Sequence, residues 1–521
     1  MDISLIVVIA YLAGVSGIGI ILMRRTSGSS DWAVAGGGMS LAMIAVGIAG
    51  TRIGGAGTYG VAGDVMTGGV WNMWWYGINT FLALAIVGIF FALPYRRLRL
   101  QTVGEIFTQR FGTRRCQVLT SLCVQTEYAI VNVIEVYVTA TILRGLTDMP
   151  IAIAVVIAAA VIITYTALGG LWGTAFTNLI HCTVIILGLL TVGVLGVSQA
   201  GGWDEVVASV NGHLESDGRT PSNWWSLAGA GWGAVFGMFF SVSIHTPAAS
   251  VYTNYATSAR REKDIIPGFL TAGTIAAFMP LLAGLVGILT LAKYGVNPGT
   301  RGYTNLTKLA TEIHPIYGGV ALAAVLAAVI SSGGPILLAS AKRCVRDWLP
   351  FTRNYSSSKK LKAYRIATVV YGAVSAVVAW IILQPRFAVS VLDLLLFGFA
   401  MVVPPAVAVG YLLYWRRTTE QSAYWGMLSG YGAGLVWFAC IKWAEAVEFT
   451  VAEGDSTIRH IIHYCFVYKG EGIDPSFATM FVPLLVIPAM SLLSAGASEP
   501  NDQFYDRAWG KLAGDDSPVS D

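Results

Sequence analysis

Long apolar segments, separated by short polar ones, repeat along the whole chain. Each is about twenty residues long, which at about 1.5 Å per helical residue is enough to cross about 30 Å of hydrocarbon. Thirteen such segments are present, near residues 3–23, 40–62, 71–93, 117–143, 150–168, 174–198, 227–253, 266–292, 315–341, 365–384, 389–415, 422–443 and 476–495. The pattern predicts an all-α integral membrane protein with about 13 transmembrane helices.

The composition supports a chain that is solvated by lipid. Of its 521 residues 55% are hydrophobic and only 12% are charged, and the mean hydropathy is +0.65. These values are typical of membrane proteins and exclude an ordinary soluble domain. The first segment is followed by "MRRTSGSSDW" without a usual cleavage site, so we expect a retained helix rather than a signal peptide. We expect no enzyme, because the last polar stretch is too short for a catalytic domain.

Basic residues are concentrated in alternate connecting segments. With an outside N-terminus, 23 of the 33 Lys and Arg residues fall in cytoplasmic segments, nine fall outside, and Arg52 lies within a span. The positive-inside rule therefore predicts a multi-pass protein of the plasma membrane, or of the inner membrane of a Gram-negative cell, with a cytoplasmic C-terminus. The net charge of +4 reflects this topology, so the expected partner is the lipid bilayer and not a nucleic acid.

Two of the spans should be interrupted. Residues 47–69 contain nine glycines, each of which costs a helix about 1 kcal/mol relative to alanine. The seventh span carries Pro247 beside His245, and proline removes a helical hydrogen bond. Close helix packing and a proline kink are the alternative for either span alone. Two breaks five helices apart, however, are typical of inverted five-helix repeats with a binding site at their shared midplane.

The predicted organisation is a single transmembrane domain over 1–521. Its parts are an extra N-terminal helix (3–23), a first repeat (40–198), a second repeat (227–415), two C-terminal helices (422–495) and a cytoplasmic tail (497–521).

Two motifs resemble those of the sodium:solute symporter family. "YTALGGLWGTAFTNLIHC" (165–182) resembles the signature that ends the fourth core helix and opens the fifth, and "AAVISSGGPILLASA" (327–341) resembles the eighth core helix. The resemblance implies the sodium-coupled leucine-transporter-like fold, with broken first and sixth core helices. It also implies a symporter that imports a small organic solute with Na⁺, the coupling ion, by alternating access. We expect a monomeric transport unit, and the sequence does not give the oligomeric state.

The resemblance further implies a sodium site made of oxygen atoms. The family's ligands correspond to the carbonyls of Gly50, Ile53 and Ala328 and to the hydroxyls of Ser331 and Ser332. The chemistry agrees, because hard cations take oxygen ligands, which a broken helix supplies as carbonyls and an intact neighbour as hydroxyls. Hydrogen bonding of the two serines to the preceding helical turn is the alternative.

Asn178 is a departure from the family pattern, because many members have Asp at this coupling position. That acid is associated with a second sodium or a proton route, so we expect one Na⁺ per solute. A proton-coupled carrier of a neutral or amine solute, with the serines as structural hydroxyls, is the alternative mechanism. A channel or a transporter-like sensor fits less well, since neither a continuous polar pore nor an output domain is indicated.

Arg52 is a permanent cation inside a span and needs a partner. Arginine is suited to bidentate pairing with a carboxylate. One interpretation is an internal pair with Glu127 or Glu135, which lie eight residues apart on roughly one face of the third core helix, leaving a neutral or zwitterionic cargo. The other is that the cargo is an anion, such as a small carboxylate, that Arg52 binds. The sequence leaves both interpretations open.

The remaining predicted solute residues also have alternative interpretations. The family's positions on the second core helix correspond to Trp75, Tyr76 and Asn79, although Trp is also common as filler near a membrane boundary. His245 could titrate during transport, but a histidine beside a helix break is more often a satisfied hydrogen-bonding residue. The candidate solute residues are Thr51, Arg52, Trp75, Tyr76, Asn79, Glu127 and His245, and the candidate structural or coupling residues are Glu135 and Asn178.

Overall fold

The computed structural model describes residues 3–22, 37–296, 299–384, 390–452, 454–467, 473–494 and 502–510. Within these ranges all regular secondary structure is helical, and the only β-pairing is an isolated bridge between Met39 and Ala259. Side chains 168–170 and 172–175, in the middle of the signature motif, lie outside the description. Most of the predicted tail, 497–521, lies outside it as well.

The helices follow the predicted segments. Those of the first half are α1 (Ile3–Leu22), α2 (Leu41–Gly55), α3 (Val61–Gly68), α4 (Trp71–Ile86), α5 (Ala92–Arg97), α6 (Glu105–Phe111), α7 (Arg115–Thr147), α8 (Ile151–Gln199), α9 (Trp203–Ser216), α10 (Pro221–Trp224) and α11 (Gly231–Phe239). Those of the second half are α12 (Ser250–Ser258), α13 (Ile265–Tyr294), α14 (Gly299–Ile313), α15 (Pro315–Arg343), α16 (Ser357–Ile382), α17 (Val391–Ala400), α18 (Val403–Tyr414), α19 (Glu420–Ala446), α20 (Thr457–Phe466), α21 (Pro475–Leu493) and α22 (Asp502–Trp509). Single π-type turns continue four of them, at Ala56–Gly60, Val87–Phe91, Phe240–Ile244 and Cys344–Trp348.

The predicted membrane-spanning architecture is confirmed. In the described ranges nine helical segments are long and apolar enough to cross a membrane, or ten when the bent pair around Ala249 is one span. The other three predicted spans are also helical: α1 and the first part of α8 are apolar but shorter where described, and α19 is long but rich in Gly, Tyr and Trp.

The chain reverses direction within α8, between the fifth and sixth predicted spans. The helical assignment runs from Ile151 to Gln199, but the hydroxyls of Tyr165 and Thr177 are in contact. Residues twelve apart on one straight helix would be about 18 Å apart, so α8 consists of two packed helical parts joined between these residues, as the signature motif implies.

Both predicted interruptions are present. Gly54 has φ +46° and ψ 177°, a positive-φ conformation that favours glycine and that interrupts α2 one residue before its end at Gly55. In the seventh span Ala249 is extended, with φ −72° and ψ 105°, directly after the short turn that contains Pro247. The two halves of that span meet at a bend of 48°.

The first break lies against the most enclosed helix of the fold. Residues 321–343 of α15 are buried without exception, and α15 packs mainly on α8, α2, α1 and α7. This packing brings the serine pair of α15 beside the backbone of α2. By contrast, α16 is mostly exposed on the outside of the bundle, as expected for a helix that faces lipid.

Candidate functional site

A cavity lies beside the first break and is lined by α2, α4, α7, α12, α15 and α17. The predicted site residues that line it are Thr51, Arg52, Ile53, Tyr76, Glu127, Glu135 and Ser332. The broken helix thus brings candidate ion and solute residues to one cavity, as irregular backbone at membrane depth requires.

Arg52 reaches across the cavity to the second broken span. Its Nη2 donates to the carbonyl oxygen of Val242 at 2.8 Å, and its Nη1 lies 3.4 Å from the hydroxyl of Tyr252. The guanidinium carbon stands 5.3 Å from the ring centre of Phe399, a cation–π distance. The Nε atom has no hydrogen-bond partner. Among the described residues no carboxylate lies within 4.0 Å of Arg52, so the cation has no ion-pair partner there, although Glu127 and Glu135 line the same cavity.

Glu127 faces the same cavity from α7 and has few partners. Its Oε1 lies 3.9 Å from Nε2 of His245, beyond hydrogen-bond distance, and its Oε2 has no hydrogen-bond partner. His245 is fixed by a contact of Nδ1 with the carbonyl oxygen of Ser241 and by stacking on Phe399, with ring centres 4.0 Å apart. Nε2 of His245 also lacks a hydrogen-bond partner. The carboxylate and the imidazole therefore each have one atom that can still form a hydrogen bond.

Four of the five proposed sodium ligands meet where α15 touches α2. The hydroxyl of Ser331 lies 2.8 Å from the carbonyl oxygen of Gly50 and 2.8 Å from that of Ala328. The hydroxyl of Ser332 lies 3.1 Å from the same Ala328 oxygen. Ile53 directly precedes the break at Gly54 and lines the cavity. This set of hydroxyl and carbonyl oxygens suits a hard monovalent cation.

Glu135 is held beside this set rather than beside Arg52. Its Oε2 accepts a hydrogen bond from the backbone N–H of Gly55 at 2.9 Å, and its Oε1 accepts one from the hydroxyl of Ser332. Space is tight, because a Cβ atom on Gly54 would come within 2.8 Å of Oε1 of Glu135 and 2.9 Å of Oγ of Ser332. Glu135 therefore connects the break to the serine pair.

Asn178 packs on the opposite side of α2. Its Nδ2 donates to the carbonyl oxygen of Gly47 at 2.9 Å and lies 3.4 Å from that of Ser331, while its Oδ1 has no hydrogen-bond partner. A Cβ atom on Gly50 would come within 2.7 Å of the Asn178 amide. The asparagine thus contacts two of the elements that carry proposed sodium ligands.

Three predicted solute residues do not line the cavity. Trp75 points outward, where its Nε1 donates to the carbonyl oxygen of Leu227 at 2.7 Å. The backbone carbonyl oxygen of Asn79 accepts a hydrogen bond from Ser243 at 3.1 Å. His245 lies behind Phe399 and contacts the site through Glu127. Of the three positions on the second core helix, only Tyr76 reaches the cavity.

Two cavity residues have no signal in the sequence motifs. Tyr252 and Phe399 come from α12 and α17, far along the chain from Arg52, and both contact its guanidinium. Tyr252 follows the Pro247 break by five residues, so its position beside a predicted interruption is the one feature that could have indicated it. Phe399 lies in an ordinary apolar helix and could not have been distinguished.

Comparison with known proteins identifies distant relatives that align with most of the chain. The sodium/proline symporter of Haemophilus influenzae is 24% identical over 84% of this chain and 88% of its own length. The osmoregulated proline transporter of Bacillus subtilis is 23% identical over 84% and 89%. Sodium/glucose cotransporter 4 of Danio rerio is 23% identical over 86% and 71%.

Two solved structures share the fold. A Na⁺-coupled sialic acid symporter in a substrate-bound outward-open state superposes with a TM-score of 0.72 at 18% identity, over 96% of this chain and 99% of that one. Mhp1, a nucleobase-cation-symport-1 family transporter, superposes with a TM-score of 0.55 at 16% identity, over 91% and 98%. The family description itself matches residues 32–430, about three quarters of the sequence. The chain is a multi-pass membrane transporter, not an enzyme, and it belongs to the sodium:solute symporter family.

Proposed function

We propose that the chain is a sodium-coupled symporter that imports a small organic solute bearing a carboxylate, by alternating access across the plasma membrane. The N-terminus lies outside and the C-terminus in the cytoplasm, as the distribution of basic residues favours. The observation that carries the choice of solute is the environment of Arg52. It is a buried cation on the wall of the cavity, with an unused Nε donor and no described carboxylate within 4.0 Å.

The internal ion pair is the weaker interpretation of Arg52. Both oxygens of Glu135 already accept hydrogen bonds, from Gly55 and Ser332. The described Glu127 carboxylate lies within 4.0 Å of His245 and not of Arg52. A buried guanidinium without an anion costs several kcal/mol, which an entering carboxylate would offset through charge-assisted hydrogen bonds. The site is therefore arranged for an anion that comes with the solute.

Sodium coupling is supported by the oxygen set around Ser331 and Ser332. Bringing one Na⁺ down a membrane potential supplies about 2.3 kcal/mol per 100 mV, which is enough to concentrate the solute. With Asn178 in place of an acid we propose one Na⁺ per solute. The reversal potential of reconstituted vesicles measures this ratio, and a value of two would show that a further set of ligands is in use.

A proton-coupled carrier is the second candidate function. Glu127 and His245 are both buried, each has an oxygen or nitrogen without a hydrogen-bond partner, and their nearest atoms are 3.9 Å apart. Such a pair can hold a proton that moves with the solute. Under this alternative Ser331 and Ser332 serve as structural hydroxyls.

Uptake into proteoliposomes separates the two candidates. A panel of labelled carboxylates, amino acids, sugars and amines would be tested with a Na⁺ gradient, and with choline in place of Na⁺ under a proton gradient. We expect uptake of a carboxylate-bearing solute only with Na⁺, whereas equal uptake with the proton gradient alone would favour the second candidate.

The variant Arg52→Lys tests the choice of solute. It keeps the charge but loses the planar guanidinium group, which can donate two parallel hydrogen bonds to a carboxylate. The apparent affinity for the carboxylate should therefore fall about tenfold or more, which corresponds to about 1.4 kcal/mol of binding free energy. Unchanged affinity in this variant, or transport of solutes without a carboxylate only, would reject the proposal.

A further inference from the structure

We propose that Glu135 supplies the negative charge of the sodium site, with its Oε1 as the anionic oxygen of the ligand set. This inference rests on the sodium coupling proposed above and names a residue that the ligand pattern taken from the family does not contain. It concerns the third core helix, which supplies none of the five ligands expected from the sequence.

The first argument is geometric. Short contacts connect five oxygen atoms in sequence: the Gly50 carbonyl, the Ser331 hydroxyl, the Ala328 carbonyl, the Ser332 hydroxyl and Oε1 of Glu135. Each hydroxyl has one proton to donate, so the two serines cannot satisfy all four contacts at once. The three links that end on Ala328 or Gly50 measure 2.8, 2.8 and 3.1 Å. Oxygen atoms this close together can share one cation, and hard cations collect several such ligands. Oε1 of Glu135 therefore contacts one of the proposed ligands directly.

The second argument is charge. Glu135 is 1% exposed, and among the described residues no Lys, Arg or His nitrogen lies within 4.0 Å of its carboxylate. Its two partners, the N–H of Gly55 and the O–H of Ser332, are neutral. A buried carboxylate with neutral partners only is unfavourable, whereas one beside a monovalent cation is compensated. The remaining four oxygens of the set are also neutral, so Glu135 and Na⁺ each provide the charge that the other lacks.

The third argument is how Glu135 is fixed. The N–H of Gly55 is available because the helix is broken at Gly54, and it holds Oε2 at 2.9 Å. Oε1 is left to face Ser332, whose hydroxyl donates to it and keeps its own lone pairs for an ion. Ser332 thereby connects the carboxylate to the Ala328 carbonyl of α15, and Ser331 connects that carbonyl to the Gly50 carbonyl of α2. The break in α2 thus contributes a donor that positions the charge, in addition to the carbonyl ligands.

The test measures Na⁺ binding in the absence of any solute. The purified full-length chain in detergent is heated at increasing NaCl, with choline chloride keeping the ionic strength constant, and the midpoint of the Na⁺-dependent rise in melting temperature is recorded. We expect Glu135→Gln to need about tenfold more Na⁺ or more, because one charge at ligand distance is removed. Asp474→Asn is the matched control: it removes a buried carboxylate outside the cavity and keeps a side chain that can cap α21, so the Na⁺ midpoint should stay within about threefold.

A second pair of variants covers the case in which Glu135→Gln does not fold. Glu135→Asp and Glu135→Asn have the same size and differ in charge, so Asp should bind Na⁺ about tenfold more tightly than Asn or better. Equal Na⁺ midpoints for wild type and Glu135→Gln, or for the Asp and Asn variants, would overturn the inference while leaving sodium coupling intact. A wild-type protein with no Na⁺-dependent stabilisation would instead overturn the proposed function itself.

Discussion

Glu127 and Glu135 lie eight residues apart on α7, are almost equally buried, and have opposite surroundings. Both oxygens of Glu135 accept hydrogen bonds, one from the break at Gly55 and one from Ser332. Glu127 has one oxygen 3.9 Å from His245 and another with no hydrogen-bond partner. The first carboxylate is fixed within the helix packing, and the second is left facing the cavity together with Arg52.

This difference shows that α7 contributes one carboxylate to each of two proposed sites. Eight residues are a little over two helical turns, so both side chains point to the same side of α7 at different depths. The deeper contact with α2 and α15 places Glu135 beside the proposed ion ligands, whereas Glu127 faces the proposed solute. Arg52 lies two residues before Gly54, so the backbone that forms the ion site also carries the residue proposed to bind the solute.

Replacing Arg52 should have the largest effect. Arg52→Gln removes the only cation that lines the described cavity, and loss of a buried charge-assisted pair costs about 2–5 kcal/mol, so the solute half-saturation should rise by about thirtyfold or more. Uptake kinetics of the best carboxylate in the panel measure this. Arg459→Gln is the control, because Arg459 is half exposed beside Asp455 and should be replaceable without effect. A carboxylate affinity that survives Arg52→Gln would move the solute site elsewhere.

Gly54→Ala should weaken the proposed sodium site. The new Cβ would sit in a positive-φ conformation and within 2.8 Å of Oε1 of Glu135, so we expect destabilisation of about 1–3 kcal/mol and weaker Na⁺ binding. Thermal unfolding with and without NaCl measures both effects. Gly410→Ala is the matched control, since nothing lies within 4 Å of its added methyl and helix propensity should improve slightly. If the two variants behave alike, the break is not held as tightly as described.

Ser332→Ala should weaken Na⁺ binding by a smaller amount. It removes one ligand oxygen and the donor to Glu135, worth about 1–3 kcal/mol as an unreplaced polar contact. The Na⁺ concentration for half-maximal uptake should rise while the protein remains folded. Ser340→Ala, two turns further along the same helix and bonded to Asn132 instead, should leave that concentration unchanged. A Ser332→Ala protein with wild-type Na⁺ dependence would remove this hydroxyl from the ligand set.

The smallest expected effect distinguishes two neighbouring aromatic residues. Tyr76 lines the cavity and Trp75 does not, so Tyr76→Phe should raise the solute half-saturation by a few-fold, about 0.5–1.5 kcal/mol, when the hydroxyl contacts the solute. Trp75→Phe should change it by less than about twofold, because that ring points to the protein surface. Uptake kinetics under saturating Na⁺ compare the two directly. The reverse order would show that the second core helix is rotated during binding.

Much of the fold could be predicted because local chemistry determines it. Twenty-residue apolar segments specify the helices, clustered glycines specify the break at Gly54, and Pro247 specifies the second break. The reversal within α8 follows the family resemblance rather than local chemistry, because a Gly-Gly pair by itself is compatible with either a turn or a weakened helix.

The candidate site was only partly predictable because it is assembled from distant parts of the chain. Arg52 stands out in the sequence by its charge alone, but Tyr252 and Phe399 become its neighbours only through the packing of α12 and α17. Consecutive residues on a helix point about 100° apart, so only one of Trp75 and Tyr76 can face the cavity, and the motif does not say which. The different partners of Glu127 and Glu135 likewise depend on α2 and α15.

The central claim is that Arg52 is not paired within the protein, and a double-mutant cycle tests it most directly. The free energy of unfolding would be compared for the wild type, Arg52→Gln, Glu127→Gln and the double variant, in detergent without solute. We predict a coupling energy below about 1 kcal/mol, because no ion pair joins the two side chains. A coupling of about 3 kcal/mol or more, with the double variant recovering the stability lost by Arg52→Gln, would contradict the account and establish the internal pair.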